Sequence, residues 1–185
     1  AKYGVGVDNI DLDYCKSHGI RVSRTVGANS EAVADYAMAL ILAVARKVPL
    51  IDSKCRDMNW GKITTRNVSH STLGLLGLGA IGRHVARRAQ GFSMKVIAYD
   101  PFWDAEYAKA NQIEYAEPET IFRTADFISL HLPLLPETKN TVGERELAMM
   151  KPDAVLINTA RGGLVDEEAL LRALQERRIY GAGLD

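Results

Sequence analysis

Residues 73–100 constrain the fold of this chain more than any other stretch. They begin with a short apolar run and pass directly into the glycine-rich turn 77–82, whose sequence is GLGAIG. A helical pattern follows, and the apolar run 95–99 then ends at Asp100. A strand, a glycine turn, a helix, a second strand and an acid in this order are typical of a unit that binds the pyrophosphate of a dinucleotide.

Each of the three glycines has its own role in such a turn. Gly77 permits the tight turn, Gly79 lets a pyrophosphate approach the backbone, and Gly82 lets the helix pack close to the strand. The first turn of the helix offers unpaired N–H groups and a partial positive charge to the phosphates. A glycine-rich turn alone is weak evidence, but the flanking elements and the acid make the dinucleotide prediction specific.

The rest of the chain alternates between helical patterns and short apolar runs. Helices are predicted over residues 11–17, 30–48, 50–58, 81–89, 104–110, 118–124, 144–149 and 166–177. Strands are predicted over residues 20–22, 73–76, 95–99, 113–115, 126–130, 154–157 and 181–184. Such alternation predicts an α/β fold of the Rossmann type, a doubly wound parallel sheet with helices on both faces. Ligands of these sheets bind beyond the carboxyl ends of the strands.

Asp100 is placed to select the cofactor. A carboxylate at this strand end can accept hydrogen bonds from both ribose hydroxyls of an adenosine, and it would repel a 2′-phosphate. The residues that follow, Pro101, Phe102 and Trp103, supply no arginine to reverse this preference. The sequence therefore predicts NAD rather than NADP, the alternative being a solvated acid at the end of a strand.

Arg161 is the candidate for binding substrate. It follows a strongly apolar strand and precedes Gly162 and Gly163, which leave room for a ligand. A guanidinium there can bind a carboxylate through two hydrogen bonds and polarise an adjacent carbonyl. The alternative is a surface arginine that pairs with Asp166 or Glu167.

His131 is the one histidine at a predicted strand end. It could donate a proton, but we favour a loop residue that shapes the cofactor pocket. The other histidines fall at the end of a short helix, in an irregular stretch and on a helix face. No histidine is therefore well placed to act as an acid or base on a substrate hydroxyl.

The composition excludes several classes of function. The formal net charge is zero, so no basic bias points to nucleic acid or to a membrane surface. The sequence contains no apolar run of membrane-spanning length, no signal peptide and no metal-binding spacing of cysteine and histidine. Two cysteines in helix-like stretches fit a reducing compartment, so a cytoplasmic location is predicted.

Five blocks, in order, resemble the D-isomer-specific 2-hydroxyacid dehydrogenases, most closely the D-3-phosphoglycerate dehydrogenase branch. The blocks are GVGVDNID at 4–11, the glycine turn at 77–82, YDP at 99–101, HLP with PET within 131–138, and NTARGGLVD at 158–166. The resemblance implies that residues 1–185 are the NAD-binding domain of a two-domain enzyme. Residues 1–9 would be the crossing from a substrate domain, and the chain would be truncated at both ends.

The resemblance also assigns roles to individual residues. Thr159 and Arg161 would flank the nicotinamide, Asp185 would bind its carboxamide, and Arg161 would be the catalytic arginine that holds the substrate carboxylate. The implied cofactor contacts are Gly77, Gly79, Ala80, Ile81, Gly82, Asp100, His131, Leu132, Pro133, Thr138, Thr159, Ala160, Arg161 and Asp185. The catalytic glutamate and histidine of the family lie beyond the equivalent of Asp185, so this chain alone is expected to bind cofactor without turnover.

The leading functional hypothesis is an NAD-dependent oxidoreductase that acts on a D-2-hydroxyacid or a 2-oxoacid. The second is an NAD-sensing regulatory module, because the family also contains corepressors. A methyltransferase is a third, since its cofactor turn also uses glycines and a strand-end acid. The nearly continuous apolar surface of the helix 30–48 predicts either a core helix or the interface of a homodimer, and the resemblance agrees with a dimer.

Overall fold

The computed structural model describes residues 6–7 and 9–185. The predicted crossing 1–9 and part of the block 4–11 therefore lie outside the described residues. The helices are α1 (Leu12–Ser17), α2 (Ser30–Ala45), α3 (Val48–Arg56), α4 (Ala80–Gly91), α5 (Ala105–Ala110), α6 (Pro118–Thr124), α7 (Glu144–Met149) and α8 (Glu167–Gln175). The strands are β1 (Thr72–Leu76), β2 (Lys95–Tyr99), β3 (Ile113–Tyr115), β4 (Phe127–Leu130), β5 (Val155–Asn158) and β6 (Gly181–Leu184).

These strands form a single parallel sheet in the order β3-β2-β1-β4-β5-β6. The order reverses between β1 and β4, and a doubly wound sheet binds its ligand in the crevice at this point. The predicted Rossmann-type α/β fold is confirmed.

Alternating residues along each strand divide the core into two layers. On one face, Leu73 and Leu75 of β1 pack with α2, α4 and α5. On the other face, Leu76 of β1 packs with Ile128 and Leu156 and with α6, α7 and α8. Both layers are predominantly apolar, as is typical of strands that are buried on both faces.

The helix predicted over 30–48 is shorter than expected, because α2 ends at Ala45 and α3 begins at Val48. Lys47 between them has φ 52°, a left-handed conformation. Pro49 cannot donate a hydrogen bond to the carbonyl four residues earlier, but it is compatible with the first turn of a new helix. The carbonyl of Ala45 instead accepts hydrogen bonds from the Arg66 N–H and the Tyr180 hydroxyl.

The strand predicted at 20–22 is wrong. These residues have no regular structure, and Ile20 and Val22 are exposed. A strand needs a neighbour to satisfy the hydrogen bonds of its backbone, and within the described residues the sheet ends at β3 and β6 without including this segment.

In the part of the chain that the structure describes, no helix is long and apolar enough to cross a membrane.

Candidate functional site

The carboxyl ends of the strands surround a cleft of about 610 Å³. Its walls come from Gly6 and Val7, from the segment before α2 and α2 itself, from the start of α4, from the loops after β4 and β5, and from the residue after β6. The predicted site residues that line it are Ile81, His131, Leu132, Pro133, Thr159, Ala160, Arg161 and Asp185. Gly77, Gly79, Ala80, Gly82, Asp100 and Thr138 do not line the cleft itself.

The three glycines of the turn have different surroundings. Gly77 has φ +104°, and a Cβ there would lie 2.6 Å from the backbone oxygen of His131. A Cβ on Gly82 would collide with the backbone oxygen of Gly77, so α4 packs directly on the turn. A Cβ on Gly79 would have no neighbour within 4 Å. Gly77 and Gly82 therefore close the turn, and Gly79 presents an open side.

The helix α4 begins at this open side. Its N-cap is Gly79, which has no side chain to cap the first turn, and Ala80 is exposed. The backbone N–H groups of a first turn without a cap can bind an anion, and the helix dipole favours negative charge there.

Asp100 is tied to the glycine turn through its carboxylate. Its Oδ2 accepts a hydrogen bond from the Leu78 N–H at 2.7 Å, and its Oδ1 accepts one from the Phe102 N–H at 2.8 Å. Each carboxylate oxygen has a second lone pair, so both can still accept a ribose hydroxyl. These bonds orient the carboxylate beside the turn.

His131 is held neutral beneath the same turn. Its ring Nε2 lies 3.0 Å from the Oγ of the fully buried Ser129. Its backbone N–H donates a hydrogen bond to the Leu76 carbonyl. Burial lowers the pKa of His131 to about 4. A neutral ring is unsuited to donating a proton near pH 7, which favours the interpretation of His131 as a residue that shapes the pocket.

Thr138 shapes the loop that follows β4. Its Oγ1 accepts a hydrogen bond from the Leu135 N–H at 2.7 Å and donates to the Pro133 carbonyl at 2.6 Å. In the same loop, the side chain of Leu134 lies so close to Gly163 that a Cβ there would be 3.2 Å from it. The loop after β4 and the loop after β5 are thus packed against each other.

Thr159 and Arg161 carry the polar groups of the loop after β5. The Thr159 Oγ1 is buried and has no hydrogen-bond partner among the described residues. The half-buried Arg161 side chain donates from Nη1 to the Ala160 carbonyl at 2.7 Å. Asp166, weighed above as an ion-pair partner of Arg161, instead accepts a hydrogen bond from the Ala169 N–H as the N-cap of α8.

Sequence reasoning missed several residues of the cleft. Arg24, Asn29 and Val33 line it from the segment before α2 and from α2 itself, and nothing in their local sequence signals this contact. Asn158 lies next to the cleft without lining it, and the sequence pattern gives it no predicted role. A buried polar side chain at the end of a strand is nevertheless typical of a residue with a specific hydrogen-bonding role. The described residues contain no group of three or more His, Cys, Asp or Glu that could hold a metal ion.

The cleft and the turn fit a dinucleotide. The unpartnered hydroxyl of Thr159 needs a polar ligand atom, since a buried hydroxyl without a hydrogen bond is costly. The open side of Gly79 and the uncapped start of α4 provide a place for a pyrophosphate.

Comparison with known proteins agrees with this geometry. Residues 38–185 match the family described as D-isomer specific 2-hydroxyacid dehydrogenase, NAD binding domain. The chain is 44% identical over 194 residues to a glyoxylate reductase of Thermococcus litoralis, a match that covers 100% of this chain and 59% of the relative. It is 40% identical over 185 residues to a D-3-phosphoglycerate dehydrogenase of Methanocaldococcus jannaschii, with 98% and 35% covered.

A solved structure gives the same result. The D-lactate dehydrogenase from Aquifex aeolicus, complexed with NAD and lactic acid, superposes with a TM-score of 0.90 at 37% identity. The match covers 98% of this chain and 55% of that one, so the chain spans between about one third and 60% of the length of these proteins. The chain belongs to the D-isomer specific 2-hydroxyacid dehydrogenase family and matches its NAD-binding domain.

Proposed function

We propose that the complete protein is an oxidoreductase that transfers a hydride between NAD(H) and a D-2-hydroxyacid or 2-oxoacid, of the D-3-phosphoglycerate dehydrogenase type. The observation that carries this proposal is the position of Arg161 beside the unpartnered Thr159 hydroxyl in the cleft at the carboxyl edge of the sheet. NAD supplies the hydride acceptor when it is bound. The chain supplies the groups that hold it and the arginine that holds the substrate.

The residues that would bind the cofactor lie at the ends of different strands, and each strand end contacts a different part of it. Gly79 and the start of α4 receive the pyrophosphate, and the carboxylate of Asp100 accepts the ribose hydroxyls. The Thr159 hydroxyl would donate a hydrogen bond to the cofactor in the cleft, and the Asp185 carboxylate would accept one from the nicotinamide carboxamide. The loop after β4 contributes apolar side chains to the same cleft.

Arg161 orients the substrate. Its guanidinium can hold a carboxylate through two hydrogen bonds and polarise the neighbouring carbonyl oxygen. It stays protonated, so it cannot remove the proton of a hydroxyl. His131 does not replace that base, because its lowered pKa makes it a weak base and its Nε2 is already paired with the Ser129 Oγ. We therefore assign proton transfer to the histidine that the family carries beyond Asp185, and expect the 185-residue chain alone to bind cofactor without turnover.

The relatives support an enzyme. Four of them are named as reductases or dehydrogenases of glyoxylate, hydroxypyruvate, D-3-phosphoglycerate and D-lactate, which are 2-oxoacids or 2-hydroxyacids. None of them supports the alternative of a regulatory NAD-sensing module. Membership of this family leaves no basis for the methyltransferase hypothesis.

The proposal is tested by Arg161→Ala in the complete protein, with NADH and a panel of 2-oxoacids. The variant loses the carboxylate contact, so kcat/KM should fall about 100-fold or more while the Kd for NADH changes less than about threefold. Arg145→Ala is the matched control, because Arg145 is an exposed arginine that pairs with Glu119 away from the cleft. Equal kcat/KM for the two variants would contradict the proposal.

We also propose that the protein is a cytoplasmic homodimer that associates through the 30–48 region. In this region Tyr36 and Val48 are exposed apolar side chains. The cysteines Cys15 and Cys55 are both free thiols, as a reducing compartment allows. Sedimentation at about 30 µM should show a dimer that Val48→Glu weakens, and a monomer alone would argue against this interface.

A further inference from the structure

We propose that Asn158 is the positioning residue for Arg161. The inference rests on the proposed function, in which the Arg161 guanidinium binds the substrate carboxylate. Asn158 is the last residue of β5 and is 3% exposed. It does not line the cleft, so any effect on the substrate must pass through its neighbours.

The Asn158 side chain bonds to the two residues that follow Thr159. Its Oδ1 accepts a hydrogen bond from the Ala160 N–H at 3.0 Å, and its Nδ2 donates to the Arg161 carbonyl at 2.8 Å. That carbonyl also accepts from the Leu164 N–H at 3.2 Å, within the short 3-10 helix Gly162–Leu164. One buried amide therefore connects the end of β5 to the helix that follows Arg161.

One of these bonds also involves the residue that the Arg161 guanidinium contacts through its Nη1. The Arg161 Nη1 donates a hydrogen bond to the Ala160 carbonyl. The backbone N–H of Ala160 in turn donates to the Asn158 Oδ1. Asn158 thus forms hydrogen bonds with the backbone of Arg161 and with Ala160, the residue whose carbonyl the Arg161 guanidinium contacts. A guanidinium held in advance binds a carboxylate with less loss of entropy.

The backbone of Asn158 also pairs with the neighbouring strand β6, which Asp185 follows. Its backbone carbonyl accepts a hydrogen bond from the Asp185 N–H at 3.1 Å. Asn158 is therefore bonded both to the loop that carries Arg161 and to the backbone of Asp185.

Only asparagine supplies both bonds at this position. Aspartate has nearly the same shape but offers two acceptors and no donor, so its second oxygen would face the Arg161 carbonyl. Glutamine is one carbon longer, and alanine has neither group. Asn158→Asp thus removes the bond to Arg161 while it keeps the bond to Ala160, and Asn158→Ala removes both without adding a buried charge.

The experiment measures the order of the Arg161 side chain and its response to a carboxylate. The complete protein is labelled with ¹⁵N-arginine and saturated with NADH, and the heteronuclear NOE of the Arg161 Nε–H is recorded. Oxamate, a 2-oxoacid analogue that is not reduced, is then titrated. Asn111→Asp is the matched control, since the Asn111 Nδ2 also donates to a backbone carbonyl, that of Tyr107 at 2.8 Å, outside the cleft.

We expect both Asn158 variants to lower the NOE of Arg161 and to require about 10-fold or more oxamate, with the Kd for NADH within about threefold of wild type. The control should behave as the wild type. If Asn158→Ala leaves the NOE unchanged, or weakens NADH as much as oxamate, the positioning role is overturned. If the NOE falls as expected but oxamate does not shift Arg161 in the wild type, the positioning role stands and the proposed carboxylate contact fails.

Discussion

At the scale of single residues, His131 shows how the fold changes the chemistry of a side chain. A free histidine titrates near pH 6.5, but the buried ring beside Ser129 has a pKa of about 4. The backbone oxygen of His131 lies so close to Gly77 that a Cβ there would be 2.6 Å from it. His131 therefore supports the turn, and its neutrality follows from that packing.

The stability of the chain should depend on pH through His131. Because the folded pKa lies below the unfolded one, the unfolded chain binds more protons between pH 6.5 and 4, and stability falls as the pH drops through this window. Between pH 7.5 and 5, urea unfolding of the wild type without cofactor should lose about 2 kcal/mol more than that of His131→Gln, which cannot titrate. Parallel losses in the two proteins would show that His131 is not held neutral.

At the scale of elements, the unit formed by β1, the glycine turn and α4 separates packing from binding. Gly82 packs against the turn, and Gly79 faces open space. A methyl group added at the two positions should therefore have different consequences, although both are glycines of one motif.

Gly79→Ala and Gly82→Ala form a matched pair. Gly82→Ala forces the methyl against the Gly77 carbonyl and should reduce the free energy of unfolding by about 1–3 kcal/mol. Gly79→Ala should cost less than about 1 kcal/mol, yet weaken NADH about 10-fold or more, because the methyl occupies the place of the pyrophosphate. Chemical denaturation and NADH titration of both variants check this, and an NADH Kd unchanged in Gly79→Ala would contradict it.

The elements from β1 onward could be predicted from the sequence, because each strand is an apolar run and each helix has local signals. The break at Lys47 could not, since it depends on Ala45 accepting hydrogen bonds from Arg66 and from Tyr180, which is 135 residues away. The segment 20–22 failed for the opposite reason: its alternating apolar residues suit a strand, but no described strand lies beside it.

At the scale of the whole molecule, the parallel sheet brings distant residues to one edge. Asp100, His131, Arg161 and Asp185 were predicted there, because each follows an apolar strand and parallel strands share a carboxyl edge. Arg24 was not predicted, since it reaches the cleft from a loop with no strand before it. The sequence thus predicts the site residues that follow strands of the sheet. Residues such as Arg24, which reach the cleft through the packing of a loop, are found only from the structure.

The carboxyl edge of the sheet is expected to bind NAD in preference to NADP. Asp100 carries most of this specificity. Its carboxylate beside the glycine turn can accept the ribose hydroxyls, whereas a 2′-phosphate would bring two negative groups together.

The most direct measurement is a fluorescence titration of the 185-residue chain with NADH and, in parallel, with NADPH. We expect saturable binding of NADH, with a Kd about 10-fold or more below that of NADPH. Failure of NADH to bind, or equal affinity for the two cofactors, would contradict it.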